Sequence, residues 1–300
     1  MKAGVGMAKG ILQQVREAVS NLNPNEVRES AERPLHIGVA ASSADLAALE
    51  DFLAPSTIST NRRWELFSVL HRIGDTGAPE KFDLEIYAGD FTGPDNGGYR
   101  FSPRQPRQMV EEILERREEL GLPLSRCFPP FRRPVVEKII FSVSRENGLF
   151  ALATALPDVA PGLQLPWAVG EFASDTAFLT VNQIRMAFLV AAASDQAVGY
   201  REQAAEIASI IAGAFGWRAL ARELAGKLPL GVGLIPKAAI AFAGTFVVGH
   251  SLERLYRTGH GYTREERKQA YGGALERGRH VAASLLDGLR KKRGGASAQS

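Results

Sequence analysis

The stretch LHIGVAASSADLAAL, at residues 35–49, has the order of a buried strand, a turn and a helix that is typical of phosphate-binding loops. Aligned with the P-loop pattern G-x-x-x-x-G-K-[ST], it keeps Gly38 as the first glycine. Ser43, Ala44 and Asp45 stand where the second glycine, the lysine and the magnesium-binding hydroxyl belong. Without the lysine, and with a carboxylate that repels phosphate at the helix N-terminus, this stretch predicts no nucleotide site.

An ordinary structural role explains the same residues. Serine and aspartate are preferred at helix N-caps, so Ser43 or Asp45 is predicted to cap a helix that ends at Pro55. The tetrapeptide DFTG, at residues 90–93, matches the D-x-x-G of GTPase switch regions, but no N-K-x-D guanine-reading motif occurs in the chain. The front of the chain is therefore interpreted either as a degenerate GTPase-like domain or as an unrelated small α/β domain.

The other residues with chemical potential are dispersed. The five histidines stand far apart, and only His250 and Glu253 share a helical face at the spacing of metal ligands. Cys127, the single cysteine, has no histidine near it in sequence. The stretch GVGLIP, at residues 231–236, has proline where G-x-G-x-x-G needs its third glycine. We therefore predict no catalytic, cofactor-binding or metal-binding residues, and no cofactor.

Polar residues inside one apolar helical stretch leave two interpretations open. They are Glu171, Asp175, Asn182, Gln183 and Arg185. One interpretation is a catalytic carboxylate cluster, with Glu171, Asp175 and Arg185 as its candidates. In the other, Asp175, Asn182 and Arg185, which recur at helical spacing, satisfy one another and set the register of neighbouring helices. The second interpretation is favoured.

The composition is that of a globular protein with room for two hydrophobic cores. The 300 residues are 45% apolar and 23% charged, with a formal net charge of +3. Residues 251–300 carry eleven Lys or Arg against five Asp or Glu and end in RKKRGGASAQS, which is typical of a solvated basic tail. A lone cysteine allows no internal disulfide, and the N-terminus lacks the apolar core of a signal peptide, so we expect a cytoplasmic location.

The spacing of apolar residues predicts an α+β protein that is mainly α, with a small N-terminal α/β domain followed by an all-α helical bundle. The runs LHIGVA and DLEIYAGD predict strands, PRQMVEEILERREELG predicts an amphipathic helix, and NRRWELFSVLHRI fits either. FTGPDNGGYRFSPRQP, rich in Gly and Pro, predicts a loop. A helix with Pro134 in its first turn then opens an uninterrupted helical series. Its later members are residues 169–193, 200–215, 217–227, 236–258 and 263–289.

Four domains are predicted from these patterns. They are an N-terminal amphipathic helix and linker (1–30), a small α/β domain (31–121), the helical bundle (122–290) and a basic disordered tail (291–300).

Several short elements of the helical half form an ordered set. They are Gln183 with Met186, the turn GLIPK at 233–237, AGT at 243–245 followed by Gly249, and an ending from Tyr256 to Gly259. Over residues 134–285 this set resembles the YcjF-type helical domain, a domain of unknown function found C-terminal to bacterial GTPase domains. The resemblance implies a bacterial helical bundle associated with a membrane, and it supplies no catalytic residues.

The segment 228–252 has one charge in 25 residues. Its uninterrupted apolar core, residues 238–248, extends only about 17 Å as a helix, whereas the hydrocarbon layer of a bilayer is about 30 Å thick. We predict either the central helix of a soluble bundle or a re-entrant hairpin at a membrane, with Lys237 at the interface.

These patterns favour a non-enzymatic interaction or scaffold protein, a pseudo-GTPase whose helical domain docks on a membrane or on another protein. The alternative is an enzyme with a dispersed polar site in the bundle. Expected partners are a protein or a second copy of the chain, and an anionic membrane surface bound through 228–252 and the basic tail, but no nucleic acid. We expect a cytoplasmic protein that is peripheral to the inner membrane.

Overall fold

The structure is a computed structural model that describes residues 13, 15, 17, 19, 20, 22–93, 97–154, 175–213 and 234–296, with the backbone alone at 175, 234 and 289–296. By the contacts among its residues the chain divides into two units. The α/β unit comprises Glu26–Glu137 and Ala192–Ala197, and the helical unit comprises Met1–Asn25, Lys138–Ala191 and Val198–Ser300. The α/β unit thus includes residues 122–137, which the sequence analysis assigns to the helical bundle.

The elements are numbered in chain order over the described residues. They are α1 (Pro24–Ala31), β1 (Ile37–Ala40), α2 (Ser43–Leu53), α3 (Thr60–Phe67), β2 (Leu70–Arg72), β3 (Leu84–Ala88), β4 (Tyr99–Phe101), α4 (Pro106–Arg116), a 3-10 turn (Glu118–Leu120), α5 (Gly121–Cys127), α6 (Pro129–Ala153), α7 (Asp175–Ala193), α8 (Ala204–Gly213), α9 (Leu234–Thr258) and α10 (Arg264–Ala296). The described chain is mainly α with a small parallel sheet, which confirms the predicted fold class.

The strands of the described chain form a parallel sheet in the order β2-β1-β3-β4. Both β1 and β3 agree with the strands predicted from LHIGVA and DLEIYAGD. Alternate positions carry apolar side chains, so one face of the sheet is buried. Helices α2 and α4 pack on that face. Phe52 lies against Phe101 with ring centroids 5.9 Å apart, and the Arg116 guanidinium lies 5.1 Å from the centre of the Tyr99 ring.

Two short strands differ from the sequence prediction. The Gly- and Pro-rich stretch predicted as a loop contains β4, which pairs with Ile86–Ala88 of β3, so that prediction is wrong at this point. The ambiguous stretch NRRWELFSVLHRI contains a helix, α3, and a strand, β2. Each of these strands is three residues long, too short to show an alternating pattern. They form because β1 and β3 offer them hydrogen-bond partners.

The helices also differ from the prediction at their ends. Helix α6 begins at Pro129, so Pro134 lies in its interior, and the predicted first-turn position is wrong. Helix α5 is not predicted at all. Helix α10 continues past residue 289 to Ala296, into the predicted basic tail. The helix predicted at 217–227 lies outside the described residues, as do residues 169–174 of the helix predicted at 169–193.

Small residues let the helices of the helical unit approach one another closely. At Gly278 of α10, an added Cβ atom would lie 2.7 Å from the carbonyl oxygen of Ala239 in α9. At Gly249 of α9, it would lie 2.7 Å from side-chain carbons of Ile140 and 3.1 Å from the Met186 sulfur. A side chain at either position would push the helices apart, because the distance between helix axes depends on the residues at the contact.

Two helices have the length and apolar composition of a membrane span. They are Thr176–Ala193 and Ile235–Thr258, each containing an 18-residue window with a mean hydropathy of 1.3, and 78% of the first window and 56% of the second are buried in the structure. Residues 235–256 include no exposed position. Lys237 Nζ donates a hydrogen bond to Thr154 Oγ1 at 2.9 Å. Residues 228–233 of the predicted membrane segment lie outside the described chain.

Candidate functional site

The carboxyl ends of β1 and β3 are where an open parallel sheet of this order would bind a ligand. From β1 the chain continues to β2 on one side, while β3 lies on the other side of β1. Such a reversal opens a crevice at the carboxyl ends of the two central strands. Here that edge of the sheet is bordered by the N-terminus of α2, which follows β1, and by Gly89, which follows β3.

The connection between β1 and α2 is very short. Strand β1 ends at Ala40 and α2 begins at Ser43, so Ala41 and Ser42 are the whole connection. Gly38, aligned with the first P-loop glycine, lies inside β1, and the ring of Phe82 fills the place of its missing side chain, 2.7 Å from an ideal Cβ position. A phosphate loop needs several consecutive backbone N–H groups curving around the anion. A connection of two residues is too short to curve around a phosphate in this way.

Asp45 lies at the N-terminus of α2, next to the same connection, and is hydrogen-bonded to Ser42. The predicted N-caps, Ser43 and Asp45, are wrong, because Ser42 caps α2: its Oγ accepts a hydrogen bond from the Asp45 N–H at 3.1 Å. The same hydroxyl donates to Asp45 Oδ2 at 2.7 Å. This reciprocal bonding has the spacing of a capping box, in which the residue three positions after the cap also takes part.

The Asp45 carboxylate also lies against the end of β3. Gly89 has a φ of +63°, and a Cβ atom there would lie 2.4 Å from Asp45 Oδ2. Arg100 Nη2 donates to the Gly89 carbonyl oxygen at 2.7 Å and holds this turn in place. A negative charge therefore occupies the corner that a phosphate would need, at the helix end whose dipole would otherwise attract an anion.

The DFTG stretch has a packing role on the other face of the sheet. The backbone at Gly93 lies against the ring of Tyr87, which an added Cβ would approach to 2.6 Å. Gly98 makes the same close approach from the other end of the β3–β4 connection. Tyr87 donates a hydrogen bond to Glu85 Oε2 at 2.6 Å, and that carboxylate raises the pKa of Tyr87 to about 12. Gly93 is thus required for contact with an aromatic ring.

Cys127 lies in a cluster of arginines within the α/β unit. Arg62 and Arg132 donate to the two carboxylate oxygens of Asp195 at 3.1 and 3.2 Å. Asp195 has a φ of +59°, just after the end of α7. Burial raises the pKa of the nearby Cys127 thiol, which therefore stays protonated at neutral pH and is a poor nucleophile.

A polar network lies in the core of the helical unit. Asn147 of α6 donates to Thr245 Oγ1 of α9 at 2.6 Å and accepts from Asn182 Nδ2 of α7 at 2.8 Å. Gln183 Nε2 also donates to Thr245 Oγ1, at 3.2 Å. All four side chains are buried, so the network joins three helices away from solvent.

The edge of this network carries an ion pair. Arg185 Nε donates to Asn182 Oδ1 at 3.0 Å, and the Arg185 guanidinium is paired with Glu146. Asn182 Nδ2 also lies 3.3 Å from Glu146 Oε2. About a fifth of each charged side chain is exposed. The amide, hydroxyl and charged groups satisfy one another, and such a network specifies one alignment of the helices.

Part of this network was predicted from the sequence. The structure brings Asn182 and Arg185 together as predicted by their spacing, and adds Gln183 through Thr245. It does not describe Glu171 or the side chain of Asp175. Glu146, Asn147 and Thr245 were missed as partners, although a signal was available. Each is a polar residue within an otherwise apolar helical run, FSVSRENGLFAL or AIAFAGTFVV.

The helical unit also contains a cavity of about 290 Å³ between α8, α9 and the start of α10. Ile210, Val248 and Leu252 supply apolar lining, and Glu206 and Ser251 supply polar lining. Burial and the Glu206 carboxylate raise the pKa of Tyr256, which keeps that hydroxyl protonated. The volume is at the lower end for small-molecule sites. We assign no ligand to this cavity.

Clusters of three or more metal-ligating side chains do not occur in the part of the chain that the structure describes. No family model, curated protein or solved structure matches the chain.

Proposed function

We propose that the protein is a non-enzymatic interaction or scaffold protein, a pseudo-GTPase in which an α/β unit without phosphate-binding chemistry is joined to a helical unit that docks on a membrane or a protein. The observation that carries the proposal is the corner between β1 and α2. There a two-residue connection and the Asp45 carboxylate occupy the place of a phosphate loop. One fold can carry unrelated functions, so an α/β unit without nucleotide chemistry can still serve to bind a partner.

The alternative, an enzyme with a dispersed site in the bundle, has less support. Its candidate Arg185 forms an ion pair with Glu146 and donates a hydrogen bond to Asn182. Asn182 in turn donates a hydrogen bond to Asn147. A catalytic group needs an atom available to substrate, either directly or through one water. Side chains that satisfy one another in a buried core serve the packing of the helices better than they serve a reaction.

A relationship to the YcjF-type domain is part of the proposal. Two pairs of the residues that carry the resemblance make contacts in the structure. Gln183 donates to Thr245 at 3.2 Å, and Met186 lies beside Gly249. A chain that kept this ordered set would keep the packing of α7 on α9. On the resemblance we propose a bacterial cytoplasmic protein at the inner surface of the membrane.

A nucleotide-binding experiment tests the proposal for the α/β unit. We expect neither GTP nor ATP to bind with micromolar affinity, and neither to be hydrolysed, with or without magnesium. Equilibrium dialysis with labelled nucleotide measures the binding directly. A variant carrying Ser43→Gly, Ala44→Lys and Asp45→Thr restores the P-loop residue types, but it should also fail to bind, because the two-residue connection cannot surround a phosphate.

Comparing the unaltered protein with the triple variant distinguishes the effect of residue type from the effect of loop length. Saturable micromolar binding by the unaltered protein, lost when Gly38 is changed, would overturn the proposal for the α/β unit. Binding gained only by the triple variant would show that residue types, and not loop length, abolish nucleotide binding.

The membrane prediction tests the docking proposal. We expect the full chain to co-sediment with vesicles rich in phosphatidylserine at low salt, and to dissociate as salt is raised. The residues after Leu289 include RKKR at 290–293, and each basic residue near an anionic surface contributes about 1 kcal/mol. Truncation after Leu289 should return the protein to the supernatant.

A matched variant keeps the chain length in that assay. Replacing Arg290, Lys291, Lys292 and Arg293 by glutamine should release the protein as truncation does, because attraction to anionic lipid depends on charge. Resistance to high salt and alkaline carbonate would instead establish integral insertion. Absence from the vesicle pellet at low salt would leave a protein partner or self-association, and size-exclusion chromatography with light scattering detects the latter.

A further inference from the structure

Two histidines lie side by side on the face of the sheet opposite α2 and α4. His36 directly precedes β1 and His71 lies in β2. The register places Gly38 opposite His71, so His36 and His71 are diagonal neighbours on one face of the sheet. His36 Nδ1 and His71 Nε2 are 3.3 Å apart. The sequence analysis did not pair them, because they are separated by 35 positions.

The surroundings position the His36 backbone and the His71 ring. The His36 backbone N–H donates to Asp83 Oδ2 at 2.9 Å, which holds the chain before β1. Phe82 stacks on His71, with ring centroids 6.3 Å apart and planes inclined by 29°. Phe82 can lie there because Gly38 has no side chain to exclude it. The glycine that resembles a P-loop residue therefore contributes to positioning His71.

The separation of the two nitrogens fits a shared metal ion. Two imidazole nitrogens bound to one tetrahedral Zn²⁺, with bonds of about 2.0–2.1 Å, lie about 3.3 Å apart. Without an ion, the same two nitrogens are within hydrogen-bond distance of each other, with one ring donating and the other accepting. His36 is exposed and His71 is half-buried, so an ion can reach both from solvent.

We propose that His36 Nδ1 and His71 Nε2 bind a divalent d-block cation of the zinc type. Imidazole suits zinc, copper and nickel better than it suits magnesium or calcium. Each ring must carry its proton on the nitrogen remote from the ion, which is Nε2 of His36 and Nδ1 of His71. Water completes the coordination, since the described residues place no third histidine, cysteine or carboxylate in a cluster with this pair.

Titration of the full chain, purified without a polyhistidine tag, with ZnCl₂ in a calorimeter tests the site. We expect one ion per chain, and we expect His36→Gln and His71→Gln each to weaken affinity by at least about tenfold, because loss of even an outer-shell partner of a metal ligand costs roughly 10–100-fold. The matched control is His260→Gln, which changes an exposed histidine in the loop after α9 and should leave the affinity unchanged. Circular dichroism confirms that each variant is folded.

A second readout identifies the ligands. Bound Co²⁺ should give visible d–d absorption that both single variants lose and the His260 variant retains. The proposal is overturned by a dissociation constant above about 1 mM, or by binding that survives both single substitutions. These outcomes are independent of the nucleotide and vesicle experiments.

Discussion

Replacing Asn147 by alanine is expected to lower the free energy of unfolding by about 3 kcal/mol. Asn147 donates to Thr245 and accepts from Asn182, and all three side chains are buried. Alanine removes these hydrogen bonds and leaves a small cavity, and each buried polar group left without its partner costs about 1–3 kcal/mol. Urea denaturation followed by circular dichroism measures the change as a lower midpoint at unaltered slope.

Two further variants show whether the loss comes from the network. Arg145→Ala, at an exposed position on the same helix, should change stability by less than about 0.5 kcal/mol. Thr245→Val should cost less in the Asn147→Ala background than in the unaltered chain, because the bond between them is already lost. Additive effects of the two substitutions would contradict a coupled network in this core.

Replacing Gly278 by alanine is expected to destabilise the protein by about 2 kcal/mol, although alanine is the better helix former. The added Cβ would lie 2.7 Å from the Ala239 carbonyl oxygen and 3.1 Å from the Ala239 Cα. Both are backbone atoms of α9, so relief requires α9 and α10 to move apart. The same urea experiment measures the loss.

Gly273→Ala, on the same helix, provides the matched control with the opposite sign. An added Cβ at Gly273 meets nothing within 4 Å. Alanine there should stabilise the protein by about 0.5–1 kcal/mol, because it reduces the conformational freedom of the unfolded chain and favours the helix. The contact between α9 and α10 is wrong as described if both substitutions shift stability in the same direction.

Local signals in the sequence predicted the long helices and the two central strands. Buried strands such as LHIGVA carry consecutive β-branched or apolar residues, and PRQMVEEILERREELG has one apolar stripe. Pro134 misled the prediction because proline is common in first turns, whereas α6 begins upstream and tolerates it inside. Strand β4 was missed because three residues of a Gly-rich stretch gain their hydrogen bonds from β3.

At the candidate site, too, some features can be read from the sequence and others depend on the fold. The sequence shows that Ala44 and Asp45 stand where a P-loop has its lysine and hydroxyl, because motif chemistry depends on residue type at fixed spacing. That Ser42 is the cap, and that Asp45 lies against Gly89, depends on where β1 ends and on which strand lies beside it. A difference of one or two residues in the strand end decides whether a loop or a cap forms.

The fold class, the predominance of helix and the absence of the P-loop residue types can be read from the sequence, because they follow from periodicity and from residue types close together in the chain. The partners of Asn147, Thr245, His36 and His71 depend instead on the packing of elements that are distant in the chain. These pairs are separated by 98 and 35 positions. No local pattern encodes such a contact, since it exists only when helices or strands pack in one particular register.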